Sequence, residues 1–339
     1  RLAIVADGAL ELLPFSALPD PGRLAEGNSE PPPLITHHEI VQLPSATVLA
    51  TLREEFGSRL PALGGIAVLA DPVFSATDPR VQSQAGPSVE ARTPSAGEYH
   101  RLPGTRREAE EIVSLFPLSS RFEAYDFEAS RETVLSGRLR GFRFIHLATH
   151  GRLDDEHPDL SGLVLSQVDR SGRRREGFLG LHEIYKLDLP ADLVVLSACE
   201  TGLGREVRGE GMIGLTRGFM YSGVPRLVVS LWPVEDDSTA LLMVRFYREL
   251  VEGRKGPAAA LRVAQLALRE VPSLRDPYHW AGFVFVGDWR FPGSEEDDFQ
   301  ARGDEDIERR GGRPRLPPRP VLDLPGPKPR PKPGPGGER

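Results

Sequence analysis

Phe142-Arg143-Phe144-Ile145-His146-Leu147-Ala148-Thr149-His150-Gly151 is an apolar run that stops at an imidazole. Leu193-Val194-Val195-Leu196-Ser197-Ala198-Cys199-Glu200-Thr201-Gly202 has the same build and stops at the only thiol in the chain. Short continuous apolar runs bounded by turn residues read as strands buried on both faces. Runs of the same kind occupy residues 65–70, closed by Asp71-Pro72, and residues 227–231 and 283–286. Between them lie stretches of helical period at 105–116, 130–139, 212–221, 238–251 and 257–271, and Pro257 suits a first helical turn. Residues 163–165 and 178–181 form the arms of a hairpin, with Arg170 to Arg175 at a solvated tip. Strand alternating with helix predicts an α/β fold: a mostly parallel sheet with helices on both faces.

In such a sheet the strands present their carboxyl ends on one edge, where ligands bind. His150 and Cys199 each follow a buried strand directly, so the pattern puts imidazole and thiol on one edge, on neighbouring strands. That pairing suits a thiol nucleophile and its base. A free thiol is only a few per cent thiolate at neutral pH, and a nearby imidazole raises the reactive fraction and can later protonate a leaving amine. Gly151 and Gly202 let a substrate approach the backbone, and the amides of Gly151 and Cys199 are candidate oxyanion donors. The plainer readings stand beside this one: a lone cysteine at a strand end is often a small buried hydrophobe, and a histidine there a hydrogen-bonded structural group. His146, His150 and Cys199 make a partial zinc set, but no CxxC or helical HxxxH pair supports a metal, and no cofactor is implied.

The bulk properties narrow the field. The chain has 339 residues, 39% of them hydrophobic, enough for one large core or two small ones. One cysteine excludes an intrachain disulfide and points to a reducing, cytoplasmic setting. No apolar run approaches the about 18 residues that cross a bilayer, so no membrane partner is expected. A net charge of -7 argues against nucleic acid as a partner. The chain opens at Arg1 on a strand-like segment and reads as a piece of a longer protein. Residues 1–290 read as one folded domain. Residues 291–339, acidic over 295–308 and Pro-rich over 314–335, read as a disordered tail. Residues 73–101 read as a long loop.

His146-Leu147-Ala148-Thr149-His150-Gly151 and Leu196-Ser197-Ala198-Cys199-Glu200-Thr201-Gly202 resemble the two signatures of the CHAT domain, a caspase- and separase-like cysteine peptidase domain of bacteria often found behind tetratricopeptide repeats. Ile4-Val5-Ala6-Asp7-Gly8, Ala70-Asp71-Pro72, Leu102-Pro103-Gly104-Thr105 with Glu108-Ala109, Ser230-Leu231-Trp232-Pro233-Val234 and Trp280-Ala281-Gly282-Phe283 support the likeness, which covers residues 1–290. The resemblance implies a caspase-like fold and an endopeptidase that cuts a partner protein. In it His150 is the general base and acid, Cys199 the nucleophile and His146 a supporting residue. It also implies regulation by an N-terminal repeat or regulatory region. In separase an acidic residue shortly after a tryptophan holds the substrate arginine. Here Trp232 is followed by Glu235-Asp236-Asp237, with Asp236 the best match and Asp71, at another strand end, a second candidate. Asp236 to Ser238 also read as a helix N-cap, and Asp71 as a turn before Pro72. Two further functions stay open: a catalytically silent scaffold or signalling module, and a cysteine-dependent acyltransferase or hydrolase of small molecules.

Overall fold

Local chemistry sets the element boundaries. Ser45 and Ser130 stand in extended conformation ahead of helices and accept hydrogen bonds from the Val48 and Thr133 amides, satisfying donors that the first turn leaves free. Pro257 opens its helix, where the missing N–H costs nothing. In this computed structural model residues 1–23, 31–82, 99–154, 156–197, 199–200, 210–232 and 234–294 are described, with backbone alone at 23, 199, 200 and 210–212. The strands are β1 (Leu2–Ile4), β2 (Ile40–Gln42), β3 (Gly64–Pro72), β4 (Arg121–Asp126), β5 (Phe142–Ala148), β6 (His150–Arg152), β7 (Gly162–Val164), β8 (Phe178–Gly180), β9 (Leu193–Leu196), β10 (Cys199–Glu200), β11 (Arg226–Ser230) and β12 (Phe283–Gly287). The α-helices are α1 (Ala46–Phe56), α2 (Pro103–Ser114), α3 (Arg131–Leu135), α4 (Leu181–Ile184), α5 (Glu210–Tyr221), α6 (Asp236–Val251), α7 (Pro257–Arg269) and α8 (Pro277–Trp280).

Eight strands form one sheet in the order β1-β2-β12-β11-β9-β5-β3-β4, and β10-β6-β7-β8 form a second, smaller one. Side chains along the large sheet alternate between two cores, as the period of two requires. Ile66, Val68, Ala70, Phe144, Val195 and Val228 pack under α2, α6 and α7. Ala67, Leu69, Ile145, Leu147, Val194 and Val229 pack against α3, α4, α5 and the small sheet. Both faces are therefore covered, which is why these strands read as unbroken apolar runs.

Three details depart from the sequence pattern. β12 runs antiparallel to β11, and β2 and β1 follow β12, so the carboxyl-edge rule holds only for β3, β4, β5, β9 and β11. The expected helix over 130–139 is shorter, because Gly137 takes φ +78° and the chain continues as a 3-10 turn over Arg138–Gly141. β4 has no counterpart in the reading above. It is an edge strand whose polar and apolar residues alternate, so it gives no continuous apolar run. The acidic and Pro-rich stretches expected to form the tail lie outside the described residues, as does most of the long loop, 83–98.

Candidate active site

β6 and β10 continue β5 and β9 beyond the large sheet. Inside that sheet His146 pairs with Val195 and Leu147 with Leu196. Past the break the same residue offset recurs: His150 pairs with Cys199 and Gly151 with Glu200, still in parallel. Between β5 and β6, the buried Thr149 hydroxyl donates to the Val164 carbonyl and so ties the transition to β7. The backbones of Cys199 and His150 thus lie side by side in adjacent strands, about 4.8 Å apart across the ladder. The Cys199 side chain, Ala198 and residues 201–209 lie outside the described residues.

His150 is buried, with 3% of its surface exposed. Its Nε2 is 2.7 Å from the His100 carbonyl. A carbonyl can only accept, so Nε2 carries a proton, and in the neutral ring Nδ1 keeps the lone pair. Nδ1 is buried and has no hydrogen-bond partner among the described residues. The rings of Phe74 and Tyr99 flank the imidazole at 5.0 and 5.3 Å. Burial pushes the His150 pKa below its ordinary value, outweighing the His100 carbonyl, which favours the charged form. The geometry therefore places a proton on Nε2 and leaves Nδ1 without a hydrogen-bond partner among the described residues, and burial favours the neutral ring.

The two candidate pocket carboxylates both lie at the N-terminus of α2, in different states. Asp71 has a left-handed backbone, φ +50°, and no exposed surface. Its amide donates to Thr105 Oγ1 at 3.0 Å. Its carboxylate is gripped by Arg101 through Nε–Oδ1 at 2.9 Å and Nη2–Oδ2 at 2.7 Å, while Arg80 Nη1 stands 3.0 Å from Oδ2. Asp236 is half-buried and is the first residue of α6. Glu235 holds the cap position and makes no side-chain cap bond. The Asp236 carboxylate instead lies against Gly104 in the first turn of α2. A Cβ at Gly104 would come 2.6 Å from that of Asp236, so the close approach requires glycine. Burial raises the Asp236 pKa, although the Gly104 amide opposes the shift. Of the two, Asp236 is the carboxylate with no arginine partner among the described residues.

His146 lies under the site, wholly buried. Its Nε2 is 3.0 Å from Glu108 Oε1, with neither atom in a hydrogen bond, and its Nδ1 lies 3.3 Å from the Tyr247 hydroxyl. The trio links α2, β5 and α6 and does not bring His146 to His150. Among the described residues no group of three or more His, Cys, Asp or Glu could hold a metal ion. Sequence reasoning missed Phe74, Tyr99, His100 and Arg101, because His100 acts through its backbone and the rest sit around a loop with no periodic signal.

A model of the CHAT domain matches residues 1–288. The chain belongs to the CHAT domain family. This CHAT chain is 24% identical over 324 residues to human Tetratricopeptide repeat protein 28, covering 85% of the chain and 12% of that protein. It is 34% identical over 113 residues to the mouse protein of the same name, covering 33% of the chain and 4% of that protein. The chain thus spans 12% or less of the length of these mammalian relatives. Among solved structures it is similar to Saccharomyces cerevisiae separase in complex with securin, at 15% identity and TM-score 0.42, over 74% of this chain and 14% of that one. It is also similar to the Arg-specific cysteine proteinase gingipain R, at 11% identity and TM-score 0.43, over 74% of this chain and 54% of that one. No helix among the described residues is long and apolar enough to cross a membrane.

Proposed function

We propose that this CHAT domain is a cysteine endopeptidase that cuts a partner protein with a Cys199/His150 dyad. The observation that carries the reading is the parallel register of Cys199 on His150, beside an imidazole whose Nδ1 has no hydrogen-bond partner among the described residues. In this reading Nδ1 takes the thiol proton and the thiolate attacks the peptide carbonyl. The Gly151 and Cys199 amides receive the developing oxyanion. His150 returns the proton to the leaving amine, and water activated by the same nitrogen then hydrolyses the thioester. Asp236 favours a basic residue before the scissile bond, through a charge-assisted pair. A reducing, cytoplasmic setting keeps the single thiol free. Family membership and the repeat-bearing names of the mammalian relatives support control of this activity by a tetratricopeptide region.

The test is unbiased mapping of cleaved peptides with the complete protein and its Cys199→Ala variant. The reading expects cuts that vanish in the variant and cluster after Arg or Lys. Identical peptide maps from the two proteins would turn the assignment toward a silent scaffold. Turnover of simple esters without peptide cleavage would turn it toward a small-molecule hydrolase. For the pocket, Asp236→Ala is expected to lower cleavage after Arg and Lys by 10-fold or more, on the order of one lost charged hydrogen bond, and to spare other peptides. An equal loss on all peptides would leave Asp236 only its contact with α2.

A further inference from the structure

We infer that the Asp71–Arg101 ion pair is a clamp that positions His150 through the His100 carbonyl. The inference rests on the peptidase reading above and assigns Asp71 and Arg101 as positioning residues. The hydrogen bond on the His150 ring comes from a backbone carbonyl in a connecting segment, while the His100 side chain itself is exposed. A carbonyl in such a segment orients a ring only if the backbone on either side is held. Here both neighbours are anchors. Before it, Tyr99 packs its ring 5.9 Å from Phe74 and 5.3 Å from the imidazole. After it, Arg101 makes a two-pronged bond to Asp71.

The far end of the clamp is rigid. Asp71 is the second-last residue of β3, at the irregularity between Ala70 and Pro72, and its buried amide is fixed on Thr105 Oγ1, which in turn donates to the Leu102 carbonyl at 2.7 Å. Arg80 holds the Asp71 carbonyl at 2.8 Å as well as its carboxylate, and spans to Asp78 and Asp126. The line of support therefore runs from the sheet to Asp71, to the Arg101 fork, to the His100 carbonyl and to the Nε2 proton. Such outer contacts fix the tautomer and orientation of a working histidine. Because Arg80 stays on Asp71, removing Arg101 does not leave a buried carboxylate unpaired, so the variant is expected to fold.

The test uses nitrogen NMR of the His150 ring together with peptide kinetics, in Arg101→Ala, Arg101→Lys and, as a control for loss of an exposed arginine, Arg107→Ala. In a Cys199→Ala background the clamp predicts a pure Nε2–H tautomer for the parent and for Arg107→Ala, and a mixture with the Nδ1–H form for Arg101→Ala. In the active protein Arg101→Ala is expected to lower kcat on the order of 10- to 100-fold with KM little changed, the scale of a displaced catalytic group. Arg101→Lys, lacking the planar fork, is expected to recover only part. Unchanged tautomer and kcat in Arg101→Ala would overturn the clamp. So would faster cleavage after arginine, which would mean that Arg101 merely fills a substrate pocket at Asp71. If the parent cleaves no peptide, the peptidase reading fails on its own account, and the tautomer spectrum alone decides the clamp.

Discussion

The lone pair on His150 Nδ1 is the residue-scale feature on which the proposed peptidase chemistry rests. The Phe74 and Tyr99 rings keep water from the imidazole, and burial holds its pKa below the ordinary value of 6.5. A base must be unprotonated to act, so a lowered pKa keeps it working in more acid solution. The acid limb of the kcat/KM profile is therefore expected below pH 6.5. Phe74→Leu, which opens a gap beside the ring, is expected to move that limb upward toward the ordinary value. A limb that stays put would deny the aromatic cover its role. The stability sign is set by the same shift. The unfolded chain binds a proton on His150 that the folded one refuses, so the contribution is complete above the ordinary imidazole value and is lost as pH falls through the lowered one. Denaturant midpoints of the parent and His150→Gln across this window check it, the parent losing more stability on acidification.

At the scale of elements the junction of α2, β5 and α6 is the critical joint. Glu108, His146 and Tyr247 meet there, buried, and burial raises the Tyr247 hydroxyl well above its ordinary pKa, Glu108 adding to the shift. Glu108→Ala is expected to cost about 2–3 kcal/mol, from the lost packing of a buried side chain and an unpartnered His146 Nε2. Tyr247→Phe is expected to cost about 1 kcal/mol, a single hydrogen bond. Urea unfolding of both variants checks the contrast. A comparably small loss in Glu108→Ala would mean that the pair carries little. The elements themselves were legible wherever burial on both faces left a continuous apolar run, as in β3, β5, β9 and β11, or where a helical stretch opened at serine or proline, as at Ser130 and Pro257. β4 was not, because Arg121 and Glu123 interrupt it. The cap expected at Asp236 falls at Glu235, and the Asp236 side chain packs against Gly104 of α2. The role of His100 left no trace in the sequence, since a backbone carbonyl is common to every residue type.

For the whole molecule, the family model and the packed core end close together. The model stops at residue 288, while Phe291 is buried against Phe144, Arg143 and Arg226, and the Ser294 amide bonds back to the Phe291 carbonyl. The described core therefore runs past residue 290, at least to Ser294. Truncation after 294 leaves the Phe291 contacts in place. Truncation after 290 is expected to lose about 3–5 kcal/mol, the scale of a deleted core aromatic. Equal midpoints for the two would put the boundary at 290. Cys199 and His150 lie in register on adjacent strands, and in the proposed peptidase reading they react as a pair. The most direct measurement is covalent labelling by a peptidyl electrophile ending in arginine, with the modified residue located by mass spectrometry, on the complete protein and its His150→Ala variant. The account predicts one label, on Cys199, forming on the order of 10²–10⁴-fold faster in the parent than in the variant. A Cys199 that stays unlabelled, or labels equally fast without His150, would contradict it.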